Sequence, residues 1–323
     1  MKKILITGGA GYVGSHVVNF LISKGVDEQD LIVFDNLILG NREHLPAKVQ
    51  LVQGDLLNPI ELDQVFKSHQ FDSVIHFAAY AYVGESMKNP NKYFENNVQG
   101  GLNLLEAMRK YDCSNIVFSS TCATYGLPAS IPINESNPLN PISPYGESKV
   151  MFEKILEWYK RIYGFNYAAL RYFNASGADF GIGEKHDPET HLIPLCILTA
   201  MGERPVLEVF GDDFETPDGT CIRDYIHVTD LADAHFRALN YLREKKESLV
   251  VNLGTGRGTS VKEVIDMVQQ VGKKPVKIEI KPRREGDPPV LAADYQLANK
   301  MLGWSPEKSL QEIIQSAWDW HSN

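Results

Sequence analysis

Short apolar runs recur through the first half of the chain: Lys3 to Thr7, Leu31 to Phe34, Val49 to Val52, Ser73 to Phe77, Asn115 to Ser119 and Tyr167 to Arg171. They are rich in branched residues and show no polar alternation, which suits strands covered on both faces. Longer amphipathic stretches separate them. After Pro144, for instance, Val150, Phe152, Ile155, Leu156 and Tyr159 fall near helical spacing, with Lys154, Glu157 and Lys160 between them. Strand alternating with helix predicts an α/β protein built on a parallel, right-handed, doubly wound sheet.

The pattern changes after Asn174. Gly, Pro, Asp and Glu crowd Gly177 to Glu189 and again Gly211 to Gly219, which predicts loops of a second lobe. Arg223 to Leu239 and Leu249 to Leu253 look strand-like and helical again, and three helix candidates follow Ser260. The expected division is residues 1–174, with 223–253 returning to them, as a dinucleotide-binding unit, and 175–222 with 254–323 as a smaller C-terminal substrate-binding lobe. There is no internal repeat or low-complexity tract.

Gly8-Gly9-Ala10-Gly11-Tyr12-Val13-Gly14 directly follows the first predicted strand and opens the helix Tyr12 to Ser23. Glycines there permit a tight turn, close approach of a pyrophosphate and close helix-strand packing, while free N–H groups at the helix start attract phosphate. The second predicted strand ends at Asp35, 21 residues after Gly14. A carboxylate there can accept both hydroxyls of an adenosine ribose and repels a 2′-phosphate, so the expected cofactor is NAD rather than NADP, on a Rossmann-type fold. Asp55, in Gly54-Asp55-Leu56 after the third run, is placed to meet the adenine, although a turn-forming Asp also explains it.

A formal charge of −9 argues against binding to a nucleic-acid backbone. No apolar stretch reaches the roughly 18 to 20 residues of a membrane helix, and Met1-Lys2-Lys3 leads straight into the first strand, so a cytoplasmic protein is expected. Cys113, Cys122, Cys196 and Cys221 show no metal-ligand or disulfide spacing, and the nine histidines are scattered. Free thiols and no metal are expected, with His76 a hydrogen-bonded strand-end residue.

Tyr145-Gly146-Glu147-Ser148-Lys149 puts Tyr and Lys four apart near the start of a helix, on one face. A phenol with a pKa of about 10 is a poor base at neutral pH, but a nearby ammonium and a positively charged nicotinamide both favour the phenolate. Tyr145 is the candidate base and Lys149 its tuner and ribose anchor. Such pairs are common on surface helices; the glycine loop upstream gives this one its meaning. The run Asn115 to Ser119 ends in Ser119-Ser120-Thr121-Cys122-Ala123-Thr124-Tyr125-Gly126, which sets hydroxyls at a strand's carboxyl end, where open α/β sheets bind ligands. Thr121 is the candidate hydrogen-bond partner of the reacting hydroxyl.

With these blocks the chain resembles, over nearly its whole length, the UDP-glucose 4-epimerases of the extended short-chain dehydrogenase/reductases. Further matching blocks are Asp35-Asn36-Leu37, His76-Phe77-Ala78-Ala79, Val83-Gly84-Glu85-Ser86, Asn96-Asn97-Val98, Ser143-Pro144-Tyr145, Arg171-Tyr172-Phe173-Asn174, Gly219 to Val228, and Pro282-Arg283-Arg284-Glu285-Gly286-Asp287. The resemblance implies that Tyr145, Lys149 and Thr121 are catalytic and that C4 of a UDP-hexose is transiently oxidised. A 4-keto sugar then turns in the site and is reduced on its other face. It implies NAD contacts from Gly8, Gly11, Tyr12, Val13 and Gly14, from Asp35, Asn36, Asp55 and Leu56, from Phe77, Ala78 and Ala79, and from Asn96, Ser119, Tyr145, Lys149 and Phe173. Contacts to the UDP-sugar are implied for Thr121, Tyr145, Asn174, His191, Arg223, Arg284, Asp287 and Leu291, the arginines bonding the diphosphate. A homodimer through the helices around Asn91 to Arg109 and Tyr145 to Tyr163 is also implied.

The chain departs from the pattern at four places. Thr121 stands where Ser is frequent, Ala81 where Lys is frequent, and His191 where some members have Asn. Leu291 replaces a bulky Tyr that gates the hexose pocket in some members, which predicts room for an N-acetyl group. Three alternatives compete. A sugar-nucleotide 4,6-dehydratase would carry Asp-Glu after Thr121, and here Cys122-Ala123 follow. A UDP-pentose or UDP-hexuronate 4-epimerase differs only in pocket detail. A catalytically silent NAD-binding protein would have no need of Thr121, Tyr145 and Lys149 together.

Overall fold

The computed structural model describes residues 3–186, 188–284 and 287–322. Met1 and Lys2 before the first run, and Glu285 and Gly286 of the Pro282 to Asp287 block, lie outside the described residues. Six strands follow the predicted runs within two residues: β1 (Lys3–Thr7), β2 (Leu31–Asp35), β3 (Gln50–Gln53), β4 (Phe71–His76), β5 (Asn115–Thr121) and β6 (Asn166–Tyr172). Leu249–Leu253 adds a seventh. The order across the sheet is Leu249–Leu253, β6, β5, β4, β1, β2, β3, and every pairing is parallel. This is a Rossmann-type doubly wound α/β sheet. The chain winds outward from β1 to β3, then returns to β4 and winds the other way, so a crevice opens at the carboxyl ends of β1 and β4.

Both faces are covered, which is why the runs lack polar alternation. In β1, Ile4 and Ile6 join one core layer and Leu5 the other. The helices α1 (Tyr12–Ser23) and Val228–Lys245 cover the first layer with Val17, Leu21, Leu231 and Leu239. On the opposite side, α2 (Pro59–Ser68), Gly100–Lys110 and Pro144–Tyr163 contribute Leu62, Leu104, Phe152 and Leu156.

A third core, around Ile197, Val264 and Ile314, joins the helices Leu192–Met201, Val261–Gly272 and Leu310–His321. Within 223–253, Leu249–Leu253 pairs with β6 and Val228–Lys245 lies on the sheet, whereas Tyr225–His227 pairs with Asn174–Ser176. Arg223 belongs to a small sheet formed by Ile222–Arg223, Thr259–Ser260 and Val290–Leu291. No helix among the described residues is long and apolar enough to cross a membrane.

The helix that carries Tyr145 is well delimited. Ser143 accepts from Gly146 N at 3.2 Å, Pro144 occupies the first turn, and Gly164 ends the helix in the left-handed region at φ 72°. The stretch around Asn91 to Arg109 is less regular than expected. Pro90–Tyr93 and Gly100–Lys110 are α-helical, but Phe94–Gln99 between them is a π-helical segment.

Candidate active site

The glycine loop fills the switch-point crevice. Gly8 has φ 70°, and a Cβ there would lie 2.5 Å from Ala78 N, so the loop rests against the end of β4. A Cβ on Gly14 would lie 2.3 Å from Gly8 O, which lets α1 start directly on the turn. At Gly11 a Cβ would meet nothing closer than 3.4 Å, so that glycine leaves open approach to the Tyr12-Val13-Gly14 backbone at the helix start. Ala78 and Phe77 donate their N–H groups to Thr7 O at 3.1 and 2.9 Å, fixing the β4 side of the crevice that continues to Ala79. The Phe77 ring packs 4.8 Å from His235.

Asp35 ends β2 as a buried carboxylate. Oδ2 accepts from Ala10 N at 3.0 Å and Oδ1 from Leu37 N at 2.9 Å, leaving each oxygen a lone pair for a ribose hydroxyl. Burial holds its pKa above the ordinary carboxylate value, opposed by those two N–H groups. Asn36 donates to Asp55 at 3.0 Å, and Asp55 also accepts from Leu57 N, so Asp55 is pinned at the edge where the base of a dinucleotide would lie. Leu56 is buried under Gly100. The glycine cradle and this half-satisfied carboxylate fit a dinucleotide with a free 2′-hydroxyl.

Thr121, Tyr145 and Lys149 are all buried at the carboxyl end of β5. The hydroxyl of Thr121 bonds the Tyr145 phenol and also accepts from Ala123 N at 3.2 Å. Lys149 Nζ donates to Ser119 O at 2.9 Å and stands 5.9 Å from the centre of the Tyr145 ring. Burial pushes the Tyr145 phenol well above its ordinary value, the neighbouring Tyr172 adds to this, and only the Thr121 bond opposes it. Burial likewise pulls Lys149 down to about 7, against the pull of Glu153. Forming the phenolate therefore calls for nearby positive charge, and the ammonium, anchored on the backbone of β5, stands on that side of the ring.

The expected UDP-sugar residues divide. Leu291 packs against the small cluster of Tyr125, Ile133, Phe173 and Ala293, against which Cys122 also packs, and pairs in register with Arg223. Arg223 forms an ion pair with Asp287, and the Arg284 guanidinium lies 4.1 Å above the Phe210 ring. Asn174 donates its side-chain amide to Asp224 O at 3.1 Å. His191, in contrast, is held by the carboxylates Glu184 and Glu189 at 3.0 and 2.9 Å.

Three residues escaped the sequence argument. Asn97, beside the expected Asn96, is buried and joins Tyr80 N and O at 3.0 Å to Ser148 Oγ at 3.1 Å, tying the crevice wall to the Tyr145 helix. Tyr172 lies opposite Thr121 in the parallel register and bonds Ser119 Oγ. Glu153, one turn after Lys149, forms a buried pair with Arg171. Only the i, i+4 spacing of Lys149 and Glu153 hinted at that last pair.

A switch-point crevice holding a glycine loop and a buried tyrosine-lysine pair defines a dinucleotide-dependent enzyme that acts on a hydroxyl. The chain belongs to the NAD dependent epimerase/dehydratase family, whose model matches residues 4–254. It is 50% identical to a UDP-glucose 4-epimerase of Halalkalibacterium halodurans, over 98% of this chain and 95% of that one. Among solved structures it superposes with a TM-score of 0.95 on UDP-glucose 4-epimerase from Brucella ovis in complex with NAD, at 48% identity over 99% of this chain and 98% of that one. The UDP-glucose 4-epimerase of Bifidobacterium longum, solved with NAD+ and UDP, gives 0.93 at 37% identity, over 99% and 98%.

Proposed function

We propose that this chain inverts C4 of a UDP-hexose, interconverting UDP-galactose and UDP-glucose with resident NAD. The observation that carries this is the convergence of Thr121, Tyr145 and Lys149 on one strand end beside the glycine loop. Cys122-Ala123 follow Thr121 where a dehydratase would need an acid and a base. NAD, when bound, would supply the reversible hydride chemistry that oxidation and re-reduction at C4 require. Tyr145 takes the 4-hydroxyl proton and later gives it back, Thr121 orients that hydroxyl, and Lys149 holds the cofactor's ribose. Arg223 and Arg284 grip the diphosphate, so the remote nucleotide anchors a hexose that must rotate.

The small Leu291 side chain, against the same apolar cluster as Cys122, supports activity on UDP-N-acetylhexosamines as well. A homodimer through the Pro144–Tyr163 helix is supported by its exposed stripe of Met151, Trp158 and Ile162. The test is to incubate purified protein with UDP-galactose and no added cofactor, following sugar protons by NMR and absorbance at the reduced-nicotinamide band. UDP-glucose should appear without accumulating NADH. No conversion even with added NAD would reject the UDP-hexose reading in favour of pentose or uronate substrates or a silent binder.

A further inference from the structure

Outside the catalytic crevice, four side chains converge on the loop leading into the helix Leu192–Met201, namely Glu184, His186, Glu189 and His191. One ligand atom from each lies within 4.8 Å of the other three. Ligands about 2.0–2.2 Å from one tetrahedral metal stand roughly 3.3–3.6 Å apart, so small side-chain shifts close the set around a single ion. His191 Nδ1 is 2.9 Å from Glu189 and 3.0 Å from Glu184, and His186 Nδ1 is 3.5 Å from Glu184 and 3.8 Å from Glu189. Both Nδ1 atoms thus face inward, between the two carboxylates.

Simple ion pairing leaves this group unsatisfied. The single Nδ1 proton of His191 is directed at Glu189. Glu184, only 6% exposed, turns Oε1 into the cluster, 3.0 Å from His191 Nδ1 and 3.5 Å from His186 Nδ1. His186 Nδ1 is enclosed and has no hydrogen-bond partner among the described residues. An enclosed imidazole nitrogen without a hydrogen bond, aimed at the same point as a buried carboxylate, is costly unless a cation lies between them.

We propose that Glu184, His186, Glu189 and His191 bind one divalent cation of the borderline class, Zn2+, through two imidazoles and two carboxylates. The set is a Glu-x-His-x-x-Glu-x-His run in the sequence, a signal that treating the nine histidines as scattered passed over. The ion ties that loop to the cofactor side of the molecule. Tyr12 of the glycine loop packs 6.5 Å from His186 and donates to Gly177 O at 2.6 Å, and the Tyr82 ring lies 5.8 Å from His186. The inference does not depend on which sugar nucleotide is turned over.

Untagged protein, stripped with a chelator and desalted, is titrated with Zn2+ by calorimetry and with Co2+ by absorption spectroscopy. One Zn2+ should bind per chain, with Co2+ bands of a tetrahedral nitrogen-oxygen site and no thiolate charge-transfer band. His186→Ala and Glu189→Gln should each weaken Zn2+ binding at least about tenfold, with native circular dichroism; if one variant fails to fold, the other decides. Absence of binding at micromolar Zn2+, a thiolate band pointing to the cysteines, or unchanged affinity in either folded variant overturns the proposal.

Discussion

Glu153→Gln should destabilise the protein by about 3–5 kcal/mol, the usual cost of breaking a buried ion pair from one side. Glu153 and Arg171 are 7% and 5% exposed, so neither charge can turn to water. Arg171 binds through Nη2 to Oε2 at 2.5 Å and through Nε to Oε1 at 3.0 Å, while Ser120 donates to Oε1 at 2.6 Å. A glutamine there keeps one acceptor oxygen but turns an NH2 donor toward the guanidinium in place of the other and removes the negative charge, leaving the Arg171 charge uncompensated beside the Tyr125 hydroxyl, 3.0 Å from Nη1. Arg171→Met should cost a similar amount, whereas Glu153→Leu with Arg171→Met removes both charges and should recover most of the loss. Urea denaturation of the wild type, Glu153→Leu, Arg171→Met and the double variant gives the coupling, expected above about 3 kcal/mol because each single costs about 3–5 and the double less than either. A single-variant cost under ~1 kcal/mol, or costs that simply add, would refute the argument. A second readout is independent of stability. Glu153 holds up the pKa of Lys149, which burial has brought to about 7. Without that carboxylate the ammonium gives up its proton at lower pH, so the alkaline limb of the kcat profile should move downward.

Tyr145→Phe should keep the fold and bound NAD while lowering kcat by roughly 10²–10⁴-fold, the range of a lost acid-base group; near-normal turnover would remove Tyr145 from its role. Leu291→Tyr should abolish turnover of UDP-N-acetylgalactosamine and spare UDP-galactose, and equal loss of both in kcat/KM would dismiss the gate. Burial lowers His76 to about 3 and His227 and His235 to about 4. These histidines are neutral when folded and gain protons on unfolding below their ordinary pKa, so stability should fall as pH drops from about 6.5 towards 4, by about 1.4 kcal/mol per pH unit for each. His235→Leu should flatten that slope in denaturation midpoints, and an unchanged slope would count against it.

The strands were legible because burial on both faces removes polar alternation. What polarity hid was strand length: β5 continues through Ser120 and Thr121, since backbone pairing with β6 runs on past the last apolar residue to Thr121 and Tyr172. The short strands Ile222–Arg223, Thr259–Ser260 and Val290–Leu291 carry too few residues for any period to register. At the site, i, i+4 spacing showed that Tyr145 and Lys149 share a face, but not where a four-carbon side chain ends; the ammonium settles on Ser119 O rather than on the phenol. The role of Asn97 was beyond reach because its orientation comes from a π-helical segment.

That segment sets a rule for which changes the molecule can absorb. Phe94–Gln99 fits extra chain into a turn, and each residue of a regular helix advances it by about 100°. Tyr93 before it and Leu104 after it both face the interior, and Asn97 between them reaches Ser148. Losing one residue here would bring the helix back to ordinary winding with its two flanks in nearly the same phase, because the wider turn already absorbs the roughly 100° of one residue. The phase between the two buried faces, more than the chemistry of any one side chain, is what this stretch has to preserve. A single-residue deletion within Phe94–Gln99 should therefore be better tolerated than one in the regular helix Gly100–Lys110, where the same loss turns one flank by about 100°.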